Sequence, residues 1–343
     1  MRIAVVFDTP YKGFTPDDQL RQMEAELSGS AAEPEMEYQV AGALREKGHE
    51  VLLIGIYHDP REILDRCADW KPDLVMNCVE AFRNDDQLDY LFPALLEAGG
   101  HPYTGSPPLG LLVSRDKAMS KKILSYHGIR VPGFATWQVG ESVEQPPAEL
   151  RFPLIVKPLA ADASAGIAQA SVVEDLDALR ERVSFVHQRF EQPAIAEEFI
   201  AGRELYASVV GNGDRLEILP LTELVFDKEK TEPEERIATQ SAKWDEPYRK
   251  RKGIRNVFAR PVSAAAREAI DRICHTAFRA LWLRDYARID LRLTEEGELW
   301  VLEANANPFL SQGHEIANAA EKAGMPYPGF IQRLVDEAMA RYA

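Results

Sequence analysis

The chain has 343 residues, 45% of them hydrophobic and 28% charged, which excludes a disordered protein and suits two or three packed units. A net charge of −15 argues against nucleic acid as a main partner, and no apolar run reaches the roughly eighteen residues that a membrane span needs. The opening MRIAVVFDTP has neither the length nor the flanks of a signal peptide. Cys67, Cys78 and Cys274 fall in no CxxC or Cys/His metal spacing, so the expectation is a cytoplasmic protein with reduced, packing cysteines.

In chain order, IAVVF (3–7) is a continuous apolar run, the mark of a strand covered on both faces. A long polar stretch, 10–35, follows and reads as a lid or a short helix. Helical spacing over 37–51 stops at Gly48, VLLIGI (51–56) reads as a second strand and DLVMNCVE (73–80) as a third. Strands alternating with helices predict a parallel sheet with right-handed crossovers, ending near YTGSPP (103–108). One helical stretch is expected over 109–128, a strand at FPLIVKP (152–158) and a helix at 174–190. AIAEEF (194–199) and LYASVVG (205–211) read as strands, and GNGD (211–214) turns the second of them into LEILPL. Residues 227–256 read as an exposed, irregular and flexible loop. The chain closes with a helix (262–281), a hairpin (287–305) and a helix near 328–341.

That hairpin carries the first chemistry. YARIDLRL alternates, with Arg288, Asp290 and Arg292 on one face, and VLEANANPF ends its apolar run in Glu303, Asn305 and Asn307. A loop of Glu295–Glu298 with Gly297 left-handed sets Thr294 opposite Leu299 and Asp290 opposite Glu303. Two carboxylates and an amide oxygen at one hairpin end read either as a solvated face or as a cation site, since adjacent like charges cost energy unless a cation neutralises them, and hard oxygens of this kind suit Mg²⁺. Lys157 closes the apolar run PLIV just before the small-residue loop ADASAG, which lets backbone amides approach an anion. No Walker P-loop is present. AEEFIAGRE (196–204) reads as a hinge with acids at its edges, one of them, Glu204, placed for a sugar hydroxyl.

The order of these pieces resembles the D-alanine–D-alanine ligase branch of the ATP-grasp superfamily. The resemblance is carried by YTGSPP, SRDKAMSKKIL, GIRVPGF, PLIVKP, EEFIAGRE, RIDLRL and LEANANP, and it covers roughly residues 37–343. It implies an α/β fold with a Rossmann-like, parallel-sheet pre-ATP-grasp domain over 1–105. A central ATP-grasp subdomain over 106–196 and a C-terminal one over 197–343, with the metal site, then clasp ATP. Lys117 and Lys157 are implied on the α- and β-phosphates, with Ser164 in the loop beyond. Glu197, Glu198, Phe199 and Ile200 frame the adenine, Glu204 holds the ribose, and Lys243 reaches the γ-phosphate. Asp290, Glu303 and Asn305 hold two Mg²⁺ (Mn²⁺ being a substitute), and Arg288 stabilises the oxyanion of a tetrahedral intermediate.

The departures fall on the substrate side. The family's Gly-Ser-Ser after Lys157 reads Asp162-Ala163-Ser164, its loop tyrosine is Trp244, its oxyanion glycine is Phe309 and its carboxylate-binding serine aligns with His314. With Glu80, Trp244, Phe309 and His314 are the expected substrate residues. The expectation is an ATP-dependent carboxylate–amine ligase working through an acylphosphate on amino-acid or peptide substrates, small acids and amines other than two D-alanines. A homodimer is compatible with it, and nucleic acid and membrane are not expected as partners. The rivals are a true D-alanine–D-alanine ligase, a phosphotransferase and an ATP-binding scaffold or regulator.

Overall fold

The computed structural model of the chain describes residues 1–9, 36–83, 85–161, 166–227, 229–231 and 236–343. The stretch 10–35 and the loop residues Asp162, Ala163 and Ser164 lie outside the described residues. Among those described, no helix is long and apolar enough to cross a membrane.

β1 (Arg2–Asp8) is the middle strand of a parallel sheet, between β2 (Glu50–Ile56) and β3 (Leu74–Asn77). Its unbroken apolar run has the expected cause. Ile3, Val5 and Phe7 pack with α1 (Met36–Glu46), whereas Ala4 and Val6 pack with α2 (Glu62–Trp70) and α3 (Leu91–Gly99). Neither α2 nor α3 is expected from the sequence, and each has only nine residues.

The helical stretch after the sheet is two helices rather than one. α4 (Pro108–Arg115) and α5 (Lys117–Tyr126) part at Asp116, whose extended backbone lets its carboxylate accept from Met119 N at 2.8 Å. Lys117 thereby opens a helix instead of sitting within one. Next comes a four-stranded sheet in the order β4–β7–β5–β6, made of Phe134–Trp137, Ala194–Glu198, Leu154–Pro158 and Val172–Val173. α6 (Leu176–Phe190) covers it through Leu179, Val183 and Val186.

The last sheet runs β11 (Arg255–Phe258), β10 (Thr222–Val225), β8 (Arg203–Val210), β12 (Tyr286–Leu293), β13 (Leu299–Ala306), with β9 (Glu217–Ile218) beside β8. α9 (Ala264–Ala280) packs on its inner face through Ile270, Cys274 and Ala277. α10 (Glu315–Lys322) and α11 (Tyr327–Tyr342) return to the first sheet and share its core with α1.

The 227–256 segment corrects the sequence reading of an irregular loop. It holds α7 (Gln240–Trp244), α8 (Glu246–Lys252) and the start of β11. The caps explain it: Thr239 accepts from Ala242 N at 3.0 Å, Asp245 accepts from Tyr248 N at 2.9 Å, and Gly253 ends α8 at φ +61°. Ala242 and Ile254 then bury against Tyr206 and Leu224.

Glu223 on β10 is buried between two arginines, accepting from Arg203 at 2.7 and 3.0 Å and from Arg260 at 2.8 Å. Burial alone would raise its pKa, but these arginines outweigh it and hold the carboxyl at about 2 against an ordinary 4.5. A depressed folded pKa adds stability that is present above the unfolded value and lost as pH falls toward the folded one. Wild type is therefore expected to lose urea resistance between pH 4.5 and 2, and Glu223→Gln to show a smaller loss over that window. Identical pH slopes in the two proteins contradict this.

Candidate active site

The hairpin β12–β13 sets the centre. Asp290 pairs with Glu303 and Arg288 with Asn305, as the alternation predicts, but the route differs. The loop closes one residue earlier: Thr294 N donates to Glu298 O at 2.9 Å, Gly297 takes φ +86°, and Leu293 rather than Thr294 faces Leu299. A bulge then places Leu302 as the extra residue on β13 and restores the Asp290–Glu303 pairing. Asn307 turns away at φ +46° and accepts from Ser106 N at 2.8 Å, which ties the strand end to α4's approach.

Arg288 holds both Asp290 oxygens, at 2.7 and 3.0 Å, with Glu315 at 3.9 Å and the Tyr206 ring beneath it at 5.1 Å. Burial pushes Asp290 up to about 6, helped by the facing Glu303 and opposed by Arg288. Burial acts the same way on Glu303, yet Lys117, Lys243, Lys157 and Arg288 together hold its carboxyl well below the usual range. Four cations therefore converge on one carboxylate.

Lys117 donates to Ala161 O at 2.6 Å. Lys157 lies 3.1 Å from Glu197, and Lys121 lies 3.1 Å from the same Glu197 oxygen while donating to Leu302 O at the bulge. All three side chains are buried, and burial pushes Lys121 down to about 8, with Lys157 adding to it against Glu197. Sequence reasoning missed Lys121. The available signal was its i+4 spacing from Lys117, which puts both on one helix face. Arg292 was also missed. It donates to Glu204 at 2.8 Å, and Tyr206 donates to the other Glu204 oxygen at 2.9 Å. The Glu198 carboxylate turns outward to accept from Gly133 N and Arg151 N, leaving its main chain at the cleft.

Two spaces meet here. An inner chamber of about 70 Å³ is lined by Lys157, Glu197–Ile200, Glu204, Lys243, Asp290 and Glu303. It is narrower than an adenosine, and a hydrogen bond from Gln240 N to Ile167 O at 3.0 Å joins its two sides. An outer cleft of about 1190 Å³ takes in Glu80, Trp244, Arg288, Asn305, Phe309 and His314. Lys243 and Glu303 line both spaces. Of the residues expected from the sequence, Lys117 alone among those described lines neither, and Ser164 lies outside the described residues.

Among the described residues no group of three His, Cys, Asp or Glu side chains could hold a metal ion. Asp290, Glu303 and Asn305 do share one face of the hairpin, two carboxylates and an amide. Phosphate oxygens complete such a set for Mg²⁺, which favours hard oxygen donors and keeps some of its water, so the residues fit that ion rather than a thiophilic one.

A family model described as the D-ala D-ala ligase C-terminus matches residues 123–336. An uncharacterized protein of Sinorhizobium fredii is 32% identical over 348 residues, covering 100% of this chain and 98% of that one. A D-alanine–D-alanine ligase of Bordetella petrii is 30% identical over 246 residues, covering 72% of this chain and 71% of that one. The crystal structure of a D-alanine–D-alanine ligase from Bacillus anthracis, complexed with ATP, superposes with a TM-score of 0.73. It covers 99% of this chain and 98% of that one at 21% identity, a likeness that speaks to the fold. With the family match spanning well over half of the sequence, the chain belongs to the D-alanine–D-alanine ligase family, ATP-grasp ligases that form an amide-type bond.

Proposed function

We propose that this chain joins a small carboxylic acid to an amine at the expense of ATP, through an acylphosphate, and that its preferred pair is not two D-alanines. The observation that carries the reading is the sharing of Lys243 and Glu303 between the narrow inner chamber and the wide outer cleft. A phosphotransferase or an ATP-binding scaffold needs no arginine facing the cleft beside that junction. We also divide the chain into units at 1–105, 106–196 and 197–343, with the nucleotide between the last two.

On this reading Lys117 and Lys157 bind the α- and β-phosphates, and Lys243 the γ-phosphate. Main chain at Glu198–Ile200 frames the base, with Glu197 behind it holding Lys157 in place. Glu204, fixed by Arg292 and Tyr206, accepts from the ribose. Asp290, Glu303 and Asn305 would hold two Mg²⁺, and the ions would offset charge on the transferring phosphoryl group. The acid's carboxylate takes the γ-phosphoryl group and ADP leaves. The amine then attacks the acyl carbon and phosphate leaves. Arg288 donates to the oxygen on which charge develops in that second step. Parting and re-forming the Gln240–Ile167 contact admits the nucleotide and then excludes water from the acylphosphate.

Lys121 is a positioning residue in this scheme, because it pins the Leu302 bulge that brings Glu303 opposite Asp290. Lys121→Met is expected to raise the Mg²⁺ concentration for half-maximal rate by roughly 10- to 100-fold, the usual range for groups behind a metal ligand. An unchanged Mg²⁺ dependence argues against that role.

The preference against D-alanine rests on Trp244, Phe309 and His314, which all line the wide cleft rather than closing it around a small ligand. Purified protein with ATP, Mg²⁺ and D-alanine is expected to form little dipeptide. A kcat/KM of about 10⁴ M⁻¹s⁻¹ or more for that reaction overturns this part of the reading.

A further inference from the structure

The outer cleft contains more aromatic surface than the chemistry at Arg288 and Glu303 requires. Phe309 and His314 stand edge to face with ring centroids 4.7 Å apart, and Trp244 lies 6.3 Å from His314 at an interplanar angle of 35°. Phe258 lines the same cleft. Trp244 is 53% exposed and Phe258 44%, unusual for rings of this size when they face a cavity instead of a core. The four rings come from separate pieces of chain: the end of α7, the end of β11, the turn after β13 and the N-cap of α10. No single helix stripe or strand alternation brings them together. Their convergence is a property of the cleft.

The wall also stands at the reacting centre. Trp244 follows Lys243, and Phe309 lies four residues beyond Asn305. Arg288 lines the same cleft as these rings. The cleft, at about 1190 Å³, lies above the 300–1,000 Å³ usual for small-ligand sites, so it has room for two joined substrates with a large side chain. Rings prefer offset or edge-to-face partners, and another aromatic ring meets such a wall better than an aliphatic chain does.

We infer that one of the two substrates joined is an α-amino acid, or a short peptide, with an aromatic side chain that lies against Trp244, Phe309 and His314. This rests on the ligase reading above. The step is the one already given: the amine attacks the acyl carbon, the C–N bond forms, the C–O bond to phosphate breaks, and the amine proton leaves with the departing phosphate.

The test is ADP release with Mg²⁺-ATP over pairs drawn from D- and L-alanine, phenylalanine, tyrosine and tryptophan, and dipeptides containing them. Wild type is expected to favour the best aromatic-containing pair over the best alanine-only pair by about 100-fold in kcat/KM, within the 10- to 200-fold that an apolar pocket can supply. Trp244→Ala and Phe309→Ala are each expected to lower the rate with the aromatic pair about tenfold more than with the alanine pair, and Trp244→Phe to recover most of the difference. Alanine pairs that match the aromatic ones in wild type overturn the inference and leave the ligase reading standing. An aromatic preference that survives intact in both alanine variants overturns the assignment to this wall. No ADP release with any pair overturns the ligase reading and this inference together.

Discussion

Replacing Glu303 by glutamine is expected to lower turnover by about 10³-fold at saturating ATP and Mg²⁺, roughly 4 kcal/mol of transition-state stabilisation. The reason lies in the position of this one carboxylate. It faces Asp290 across the hairpin, lines both spaces and is held ionised by Lys117, Lys243, Lys157 and Arg288. Glutamine keeps the shape and loses the charge. The lysines then repel one another without their common partner, and on the proposed reading the ions would lose a charged ligand. Near-normal turnover of the variant at high Mg²⁺ contradicts the metal assignment.

The largest expected effect on stability belongs to Asp285, far from the chemistry. Its side chain is fully buried, and it accepts from Gly105 N, Asn212 Nδ2 and Arg341 Nε and Nη2, each at 2.8 Å. It thus joins the loop before α4, the turn after β8, the start of β12 and the C-terminal end of α11. Its backbone is at φ +63°, which aspartate and asparagine tolerate better than alanine. Asp285→Ala leaves Arg341 half-buried without its counter-charge and strains the backbone as well. A loss of about 3–5 kcal/mol is expected, the usual cost of removing one partner of a buried ion pair. Asp285→Asn, which keeps the conformation and one acceptor oxygen, is expected to cost clearly less. Urea denaturation of the three proteins at neutral pH measures both; equal losses in the two variants contradict the part assigned to the backbone conformation and the retained acceptor, and an asparagine variant as stable as wild type contradicts the ion-pair account.

How much of this was legible in the sequence depends on whether the cause was local. IAVVF announced a strand covered on both faces because every position in it meets a core. RIDLRL announced the face that carries Arg288, Asp290 and Arg292 because alternation is a property of the strand itself. The Asp290–Glu303 pairing was reached by a register that is wrong at the turn and right at the site. The compensating bulge at Leu302 is held by Lys121, a contact between residues 181 apart in sequence. The helices within 227–256 escaped notice because α7 has five residues and α8 seven, too short for periodicity to show. Their caps and the burial of Ala242 and Ile254 sustain them instead. Glu197 was placed at the adenine by resemblance, and its carboxylate proves to be engaged by Lys121 and Lys157. Trp244, Phe309 and His314 were singled out one at a time. That they form one wall is a matter of tertiary placement that no spacing encodes.

The measurement closest to the central claim is trapping of the acyl intermediate. Protein, ATP and Mg²⁺ are incubated with single D- and L-amino acids, with hydroxylamine in place of the second substrate, and hydroxamate and ADP are both counted. The account predicts hydroxamate and ADP in equal amounts, dependent on ATP and on the acid, and abolished by Glu303→Gln. ADP that accumulates with an acid while no hydroxamate forms, or a stable phosphorylated acid as the end product, contradicts it.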